Sequence, residues 1–159
     1  MKHEDCLFCK IIDGELPSAK VYEDEYVYAF MDISQVTEGH TLVIPKKHTK
    51  NIYETDEETA KEFFGRIPKV ASAIKKAFKP VGLNILNNND ILAGQTVFHL
   101  HLHLIPRYDE NDGFGFKWQM NRDEYSQEEL NGLAQRISKE IEWHFISLRV
   151  KSLLITKFI

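Results

Sequence analysis

The chain has 159 residues, which is enough for a single domain that buries its own core. Its hydrophobic fraction of 43% and charged fraction of 28% are typical of a soluble globular protein and exclude a disordered or fibrous chain. The formal net charge of −4 gives no general attraction to nucleic acid or to an anionic membrane, so we expect neither as a partner.

The N-terminal segment is polar and lacks the apolar stretch of a signal peptide, so we expect a cytoplasmic protein. Cys6 and Cys9 form a Cys-x-x-Cys pair in this segment. In a reducing compartment such a pair indicates a metal site or a redox pair before a structural disulfide.

The first predicted elements are strands. Residues 20–32 should form a hairpin, because β-favouring residues flank a polar turn at residues 23–25. Residues 41–44 form a short apolar run that Pro45 ends, since proline cannot donate a hydrogen bond to a strand ladder.

A helix is predicted to start near Thr55, where Thr55 and Glu58 have the spacing of a capping box. Apolar residues then recur at helical intervals. They are Ala60, Phe63, Phe64, Ile67, Ala71, Ile74 and Phe78. Pro68 interrupts this stripe and implies either a kink or two helical pieces.

Two more strands, at residues 83–86 and 97–105, are predicted on either side of a polar loop. A second helix should follow Ser126, which has capping-box spacing to Glu129. Strands grouped around two helices indicate an α+β fold with an antiparallel five-stranded sheet. We expect residues 1–145 to form one domain, and residues 146–159 to be a C-terminal extension without an assigned role.

Three histidines alternate with leucines at positions 99–103, followed by Leu104. On a strand the histidines would project to one face, roughly 6.6 Å apart, while the leucines pack on the core. Imidazole is suited to proton transfer and to covalent attack near neutral pH. The residues alone leave three interpretations open: a catalytic site, a metal held by the histidines, and a histidine-rich solvent face.

This histidine pattern resembles the signature of the histidine-triad (HIT) family of nucleotide-binding proteins. Other segments are similar to family motifs and follow the family's order. They are Phe8-Cys9-Lys10-Ile11-Ile12, Glu15-Leu16-Pro17, residues 29–34, residues 39–48, Asn88 and residues 93–98. The resemblance covers roughly residues 5 to 108 and implies a HIT-like fold whose sheets pair across a homodimer.

The resemblance implies a purine nucleotide hydrolase or transferase, similar to a nucleoside 5′-monophosphoramidase. His101 would attack the α-phosphate and form a nucleotidyl-histidine that water hydrolyses. A backbone carbonyl on the adjacent strand, next to His40, would fix the tautomer of His101. His103 would bind phosphate oxygens and help to protonate the leaving group, and His99 and His40 complete the catalytic set. The alternative is a binding module that senses or carries a nucleotide.

Further contacts to the nucleotide follow from the same resemblance. Asp32 would accept hydrogen bonds from both ribose hydroxyls. The base would lie between the apolar side chains of Phe8, Ile11, Leu16 and Ile33. The ribose-phosphate would contact Asn88, Gly94, Gln95, Thr96 and Val97. Without the resemblance, these would be ordinary core and turn residues.

A structural zinc site is also implied, because HIT proteins with an N-terminal Cys-x-x-Cys resemble this chain. Its ligands would be Cys6, Cys9, His48 and His99, a Cys2His2 set that leaves no open position for catalysis. Two reduced thiols that only fill space are the alternative. No redox cofactor is expected, and the leaving group stays open between an amine, a second nucleotide and pyrophosphate.

Overall fold

The computed structural model describes residues 5–115, 120–121 and 124–155. This part of the chain divides into two compact units, one up to residue 115 and one from residue 116 onward. The first unit contains two α-helices and five strands, and the second contains one long helix. In chain order the elements are α1 (Leu7–Ile12), β1 (Lys20–Glu23), β2 (Val27–Met31), β3 (Thr41–Pro45), α2 (Glu57–Phe78), β4 (Gly82–Leu86), β5 (Leu102–Arg107) and α3 (Gln127–Ile155).

The five strands form one sheet in the order β1-β2-β3-β5-β4, and every neighbouring pair is antiparallel. This confirms the predicted sheet and the predicted β1–β2 hairpin. In the central pair, His103 of β5 lies opposite Leu42 of β3, and on its other side it lies opposite Leu86 of β4. The third histidine of the triad is therefore fixed between two strands.

Helix α2 covers one face of the sheet and buries most of the predicted apolar stripe there, although Phe64 stays 40% exposed. Its buried residues pack with the alternating leucines that precede and enter β5. This core contains Val27, Ala29, Val43, Phe63, Ile67, Val70, Ile74, Leu100, Leu102 and Leu104. The sheet therefore covers most of this stripe, which is not available as an interface between two copies of the chain.

Two details of α2 differ from the prediction. Asp56 is the N-cap and accepts a hydrogen bond from Thr59 N, whereas the Thr55 hydroxyl donates to the carbonyl of Asn51. The helix also runs continuously past Pro68, so the alternative of two pieces is wrong. Proline removes one helical hydrogen bond, but the stripe is buried on the sheet both before and after this position.

The opposite face of the sheet carries α1, which the sequence did not predict. Its Phe8 packs with Tyr28, Phe30, Leu42 and Ile44 in a second buried cluster. The helix has only six residues, and no side chain caps its N-terminus. Such a short helix has no periodic pattern in the sequence, and burial of Phe8 stabilises it. The structure therefore has three α-helices among the described residues, where the sequence predicted two.

Strand β5 begins at Leu102, five residues later than predicted. Just before it, the amide of Leu100 donates to Thr49 O, and the side chain of Asn87 donates to His101 O. Loop groups therefore take over the hydrogen bonds that a longer ladder would have made.

Helix α3 forms the second unit. Ser126 and Glu129 make the reciprocal hydrogen bonds of the predicted capping box. The expected boundary between residues 145 and 146 falls inside this helix and stays a prediction. Among the helices described, none has the length and apolar character needed to cross a membrane.

Candidate active site

The histidine side chains lie on the sheet face that carries α1, while the leucines face α2. The ring centroids of His101 and His103 are 5.0 Å apart. The ring of Phe8 meets His99 and His101 edge-on, with centroids 5.9 and 5.3 Å away. Two of the three imidazoles therefore pack against the same aromatic ring from α1.

His101 is buried, and its Nδ1 lies 2.7 Å from the carbonyl oxygen of His99. A carbonyl only accepts, so Nδ1 carries the proton and Nε2 keeps its lone pair. Burial lowers the pKa of His101, against the opposing effects of this hydrogen bond and of the Asp32 charge. The ring is therefore neutral near pH 7, with a nucleophilic nitrogen at Nε2.

The acceptor that fixes this tautomer differs from the prediction. It belongs to His99, two residues earlier on the same segment, and not to an adjacent strand next to His40. The β3–β5 ladder begins only at Leu102, so position 99 lies outside the strand pairing. The amide of His99 also donates to Val97 O at 2.9 Å, a tight turn typical of chain that has left strand geometry.

His40 contacts the third histidine instead. Its Nε2 is 3.0 Å from His103 Nδ1, and its Nδ1 accepts a hydrogen bond from Val36 N at 3.5 Å. One of these two ring nitrogens donates and the other accepts, so a neutral His103 carries its proton on Nε2 when His40 Nε2 is the donor. One oxygen of Asp32 lies 3.6 Å from His40 and 3.8 Å from His103.

Burial keeps these two imidazoles neutral as well. It lowers the pKa of His40, with the Asp32 charge opposing it. Burial, followed by the neighbouring rings of His101 and His40, lowers the pKa of His103 to about 4. At neutral pH, the His103 ring is therefore neutral and not an imidazolium.

The loop between β4 and β5 supports the segment that carries His101. The resemblance places Gln95 at the phosphate, and its side chain is buried and bonds to backbone groups of this loop and of the segment after β3. Its Nε2 donates to Lys50 O and Val97 O, and its Oε1 accepts from Asp90 N. Both amide hydrogens are used within the protein, so Gln95 shapes the loop and its side chain does not supply a phosphate donor.

The other residues expected to contact the ribose-phosphate belong to the same loop. Gly94 adopts a left-handed conformation with φ of 86°, and Asn88 Nδ2 donates to its carbonyl at 3.4 Å. Thr96 is exposed, and Val97 packs against the cluster around Phe8. The backbone and hydroxyl groups at positions 94–97 thus lie on the chain that leads into the triad.

The residues expected to hold the nucleoside are only partly brought together. Phe8 and Ile11 belong to one cluster beneath the histidines, with Ile11 half-buried. Leu16 is half-buried after α1, whereas Ile33 is fully exposed on the loop that follows β2. Asp32 stands at the start of this loop, where its Oδ1 accepts from Ser34 N at 2.8 Å. Its Oδ2 faces the histidines.

The predicted zinc ligands Cys6, Cys9, His48 and His99 cluster together, with all four ligand atoms within 4.8 Å of one another. Cys9 Sγ is 3.3 Å from His48 Nδ1, and His99 Nδ1 is 3.5 Å from Cys6 Sγ and 3.7 Å from Cys9 Sγ. Sulfur and nitrogen ligands of one tetrahedral zinc ion lie about 3.5 Å apart.

His99 is also oriented for metal binding. Its Nε2 lies 2.8 Å from Pro45 O and donates to it, so Nδ1 presents its lone pair to the two sulfurs. Cys6 and Cys9 do not form a disulfide with each other. The four residues thus fit a tetrahedral metal ion and could hold one.

Two residues of the site were missed in the sequence. Asn87 donates to the carbonyl of His101, and Gln35 bonds to the backbone near Asp32 and His40. The run of asparagines at 87–89 is a usable signal, because such side chains commonly bind loop backbone. Gln35 carries no comparable signal.

Comparisons with known proteins agree with this architecture. The family described as HIT domain matches residues 13–110. "Protein hit" of Bacillus subtilis (strain 168) is 57% identical over 138 residues, covering 87% of this chain and 95% of that protein. The adenosine 5′-monophosphoramidase hnt1 of Schizosaccharomyces pombe is 37% identical over 137 residues, covering 86% of this chain and 98% of that protein.

A solved structure is similar as well. The crystal structure of a HIT family member from Bacillus subtilis superposes with a TM-score of 0.83 at 58% identity. The match covers 86% of this chain and 96% of that chain.

Proposed function

Because the chain belongs to the HIT domain family, we propose that it is an enzyme that hydrolyses or transfers purine nucleotides at the α-phosphate, as a nucleoside 5′-monophosphoramidase does. The observation that carries this proposal is the tautomer of buried, neutral His101, with Nδ1–H bound to His99 O. The relatives named adenosine 5′-monophosphoramidase support a P–N bond and an adenine nucleotide as the first substrate to test.

The reaction has two steps. Nε2 of His101 forms a bond to the α-phosphorus while the bond from phosphorus to the leaving group breaks. The anionic phosphate favours binding of a proton by His103, and the leaving group takes this proton from Nε2. Water then attacks phosphorus and gives a proton back to His103, and the N–P bond breaks to release the nucleoside monophosphate. Both histidines return to their starting states, and no oxidant or reductant is needed.

The nucleoside would be recognised on the same sheet face. Asp32 accepts the two ribose hydroxyls, and its Oδ2 lies within 4 Å of both His40 and His103. Phe8 and Ile11 provide the apolar surface for the base. Nothing in this apolar surface reads the hydrogen-bonding edge of the base, so discrimination between adenine and guanine is weak.

The metal in the cluster of Cys6, Cys9, His48 and His99 is zinc, since a Cys2His2 donor set with tetrahedral spacing suits that ion. Four protein ligands leave no position for substrate, so the ion stabilises the fold. Its ligands come from α1, from the segment after β3 and from the segment before β5, so the ion links three parts of the first unit.

Turnover of adenosine 5′-phosphoramidate by purified protein tests this function. His101→Ala should lose kcat by several orders of magnitude and still bind AMP, because the nucleophile acts mainly in the transition state. His144→Ala serves as a histidine-to-alanine control on α3. Rapid quench of the wild type should trap protein carrying one adenylyl group, and the alanine variant should not carry it.

Two outcomes would contradict the proposal. If the His101→Ala variant kept a normal kcat, His101 would not be the nucleophile. If the wild type bound AMP tightly without cleaving any phosphoramidate or dinucleotide, the binding-module alternative would be correct.

A further inference from the structure

The loop at residues 32–40 joins β2 to β3 and presents a site residue at each of its ends. Asp32 N donates to His40 O at 3.0 Å, which continues the ladder one pair beyond Met31 and Thr41. The Asp32 carboxylate and the His40 imidazole therefore begin from paired backbone positions, and both lie next to His103. Whatever fixes the two ends of this loop fixes two of the three groups around His103.

The side chain of Gln35 spans the two ends of the loop. Its Nε2 donates to Asp32 O at 2.5 Å and to His40 O at 2.8 Å. Its Oε1 accepts from Gly39 N and His40 N, each at 3.0 Å. A primary amide offers two hydrogens and two lone pairs, and all four are used on backbone atoms of one loop.

Packing does not explain this side chain. Gln35 is an exposed residue, so it contributes little to the core. Its four hydrogen bonds converge on the ends of a single loop, where the side chain acts like an extra strand pairing. A single hydrogen bond contributes modestly to net stability, so we assign the main effect of this set to the geometry of the loop ends.

We propose that Gln35 is a positioning residue that holds Asp32 and His40 in register for ribose recognition and for the tautomer of His103. This inference rests on the proposed function, since it assigns a consequence for the same site. Gln35 touches neither the ribose nor the phosphate. It acts through the carbonyl and amide of His40 and the carbonyl of Asp32.

The proposal predicts a loss of selectivity before a loss of folding. A hydrogen bond to a carboxylate that recognises one ribose hydroxyl gives about ten- to a hundredfold preference for ribose over 2′-deoxyribose. When the loop ends are free to move, Gln35→Ala should lower this preference to about threefold or less. It should also lower kcat about tenfold, because His40 no longer fixes the donor on His103.

Gln35→Glu distinguishes the acceptor role of the Gln35 side chain from its donor role. The carboxylate keeps an acceptor for Gly39 N and His40 N but has no hydrogen for the carbonyls of Asp32 and His40. Two carbonyl oxygens then face an anion, so this near-isosteric change should reduce selectivity at least as much as alanine does.

The experiment measures kcat/KM for matched adenosine and 2′-deoxyadenosine 5′-phosphoramidates on the wild type, Gln35→Ala, Gln35→Glu and Asp32→Asn. Gln127→Ala is the control for the loss of an exposed glutamine, because the Gln127 amide donates to Asn131 on α3. Melting temperatures are recorded for all variants. The ¹⁵N shifts of the His103 ring report its tautomer directly.

Loss of the ribose preference in both Gln35 variants, with folded protein at the assay temperature and a changed His103 tautomer population, supports the proposal. A lowered melting temperature with an unchanged ribose preference would overturn it, since Gln35 would then only stabilise the loop. If the wild type turns over neither substrate, the proposed function fails. The positioning role is then decided by calorimetric binding of AMP and 2′-deoxy-AMP to the same variants.

Discussion

Replacing His103 with glutamine removes a buried imidazole that resists protonation, and the change should make the protein less sensitive to acid. Burial and two neighbouring imidazoles lower the pKa of His103 from its ordinary value of 6.5 to about 4. The unfolded chain therefore binds this proton more readily than the native protein does. Stability is complete above the unfolded pKa and is lost as the pH falls from about 6.5 toward 4.

The magnitude follows from the two pKa values. Between about pH 7.5 and pH 5, the difference in proton uptake at this one site lowers the free energy of unfolding by about 2 kcal/mol. Glutamine does not titrate, and its Oε1 can accept the hydrogen bond from His40 Nε2. The variant should therefore lose about 2 kcal/mol less than the wild type over the same range.

Urea unfolding of both proteins at several pH values measures this difference. Subtracting the two curves removes most of the contribution of the other groups, including the four residues of the metal cluster. His101→Gln is not a suitable control, because its pKa is lowered too. Curves for wild type and His103→Gln that run parallel from pH 7.5 to pH 5 would refute the argument that His103 stays neutral in the folded protein.

Three further expectations concern the metal, the assembly and the ribose. Purified protein should carry close to one zinc per chain by elemental analysis, and Cys6→Ser with Cys9→Ser should lose the zinc and lower the melting temperature; a metal-free wild type would contradict this. Light scattering should give a homodimer, and Ile85→Glu on the exposed side of the edge strand β4 should shift it toward monomer. Asp32→Asn should remove most of the preference for ribose over deoxyribose, whereas equal rates on both sugars in the wild type would show that Asp32 is only a turn residue.

The sequence predicted those parts of the molecule in which side chains repeat or follow a family motif. Alternation of histidine and leucine placed the triad on one sheet face and Leu100, Leu102 and Leu104 on the other. Motif order grouped Cys6 and His48 with the triad, although 42 positions of chain separate them.

Backbone groups account for most of what the sequence missed. The carbonyl that fixes His101 belongs to His99, and every residue type has a carbonyl, so no pattern points to it. Gln35 escaped notice for the same reason, because all of its partners are backbone atoms. Gln95 is the converse case, since the resemblance places it at the phosphate, whereas its side-chain amide donates to the carbonyls of Lys50 and Val97.

The register of β5 decides which of its side chains face the candidate active site, so the site forms only when the sheet is correctly folded. A shift of β5 by one residue against β3 would turn its side chains to the opposite faces, placing the His103 imidazole against α2 and Leu102 and Leu104 in the site. Burying imidazoles in an apolar core is unfavourable, so the leucines that pack on Phe63 and Val70 also exclude the wrong register. An active site of this kind cannot form in a partly ordered sheet, and loss of activity on heating should coincide with loss of the fold.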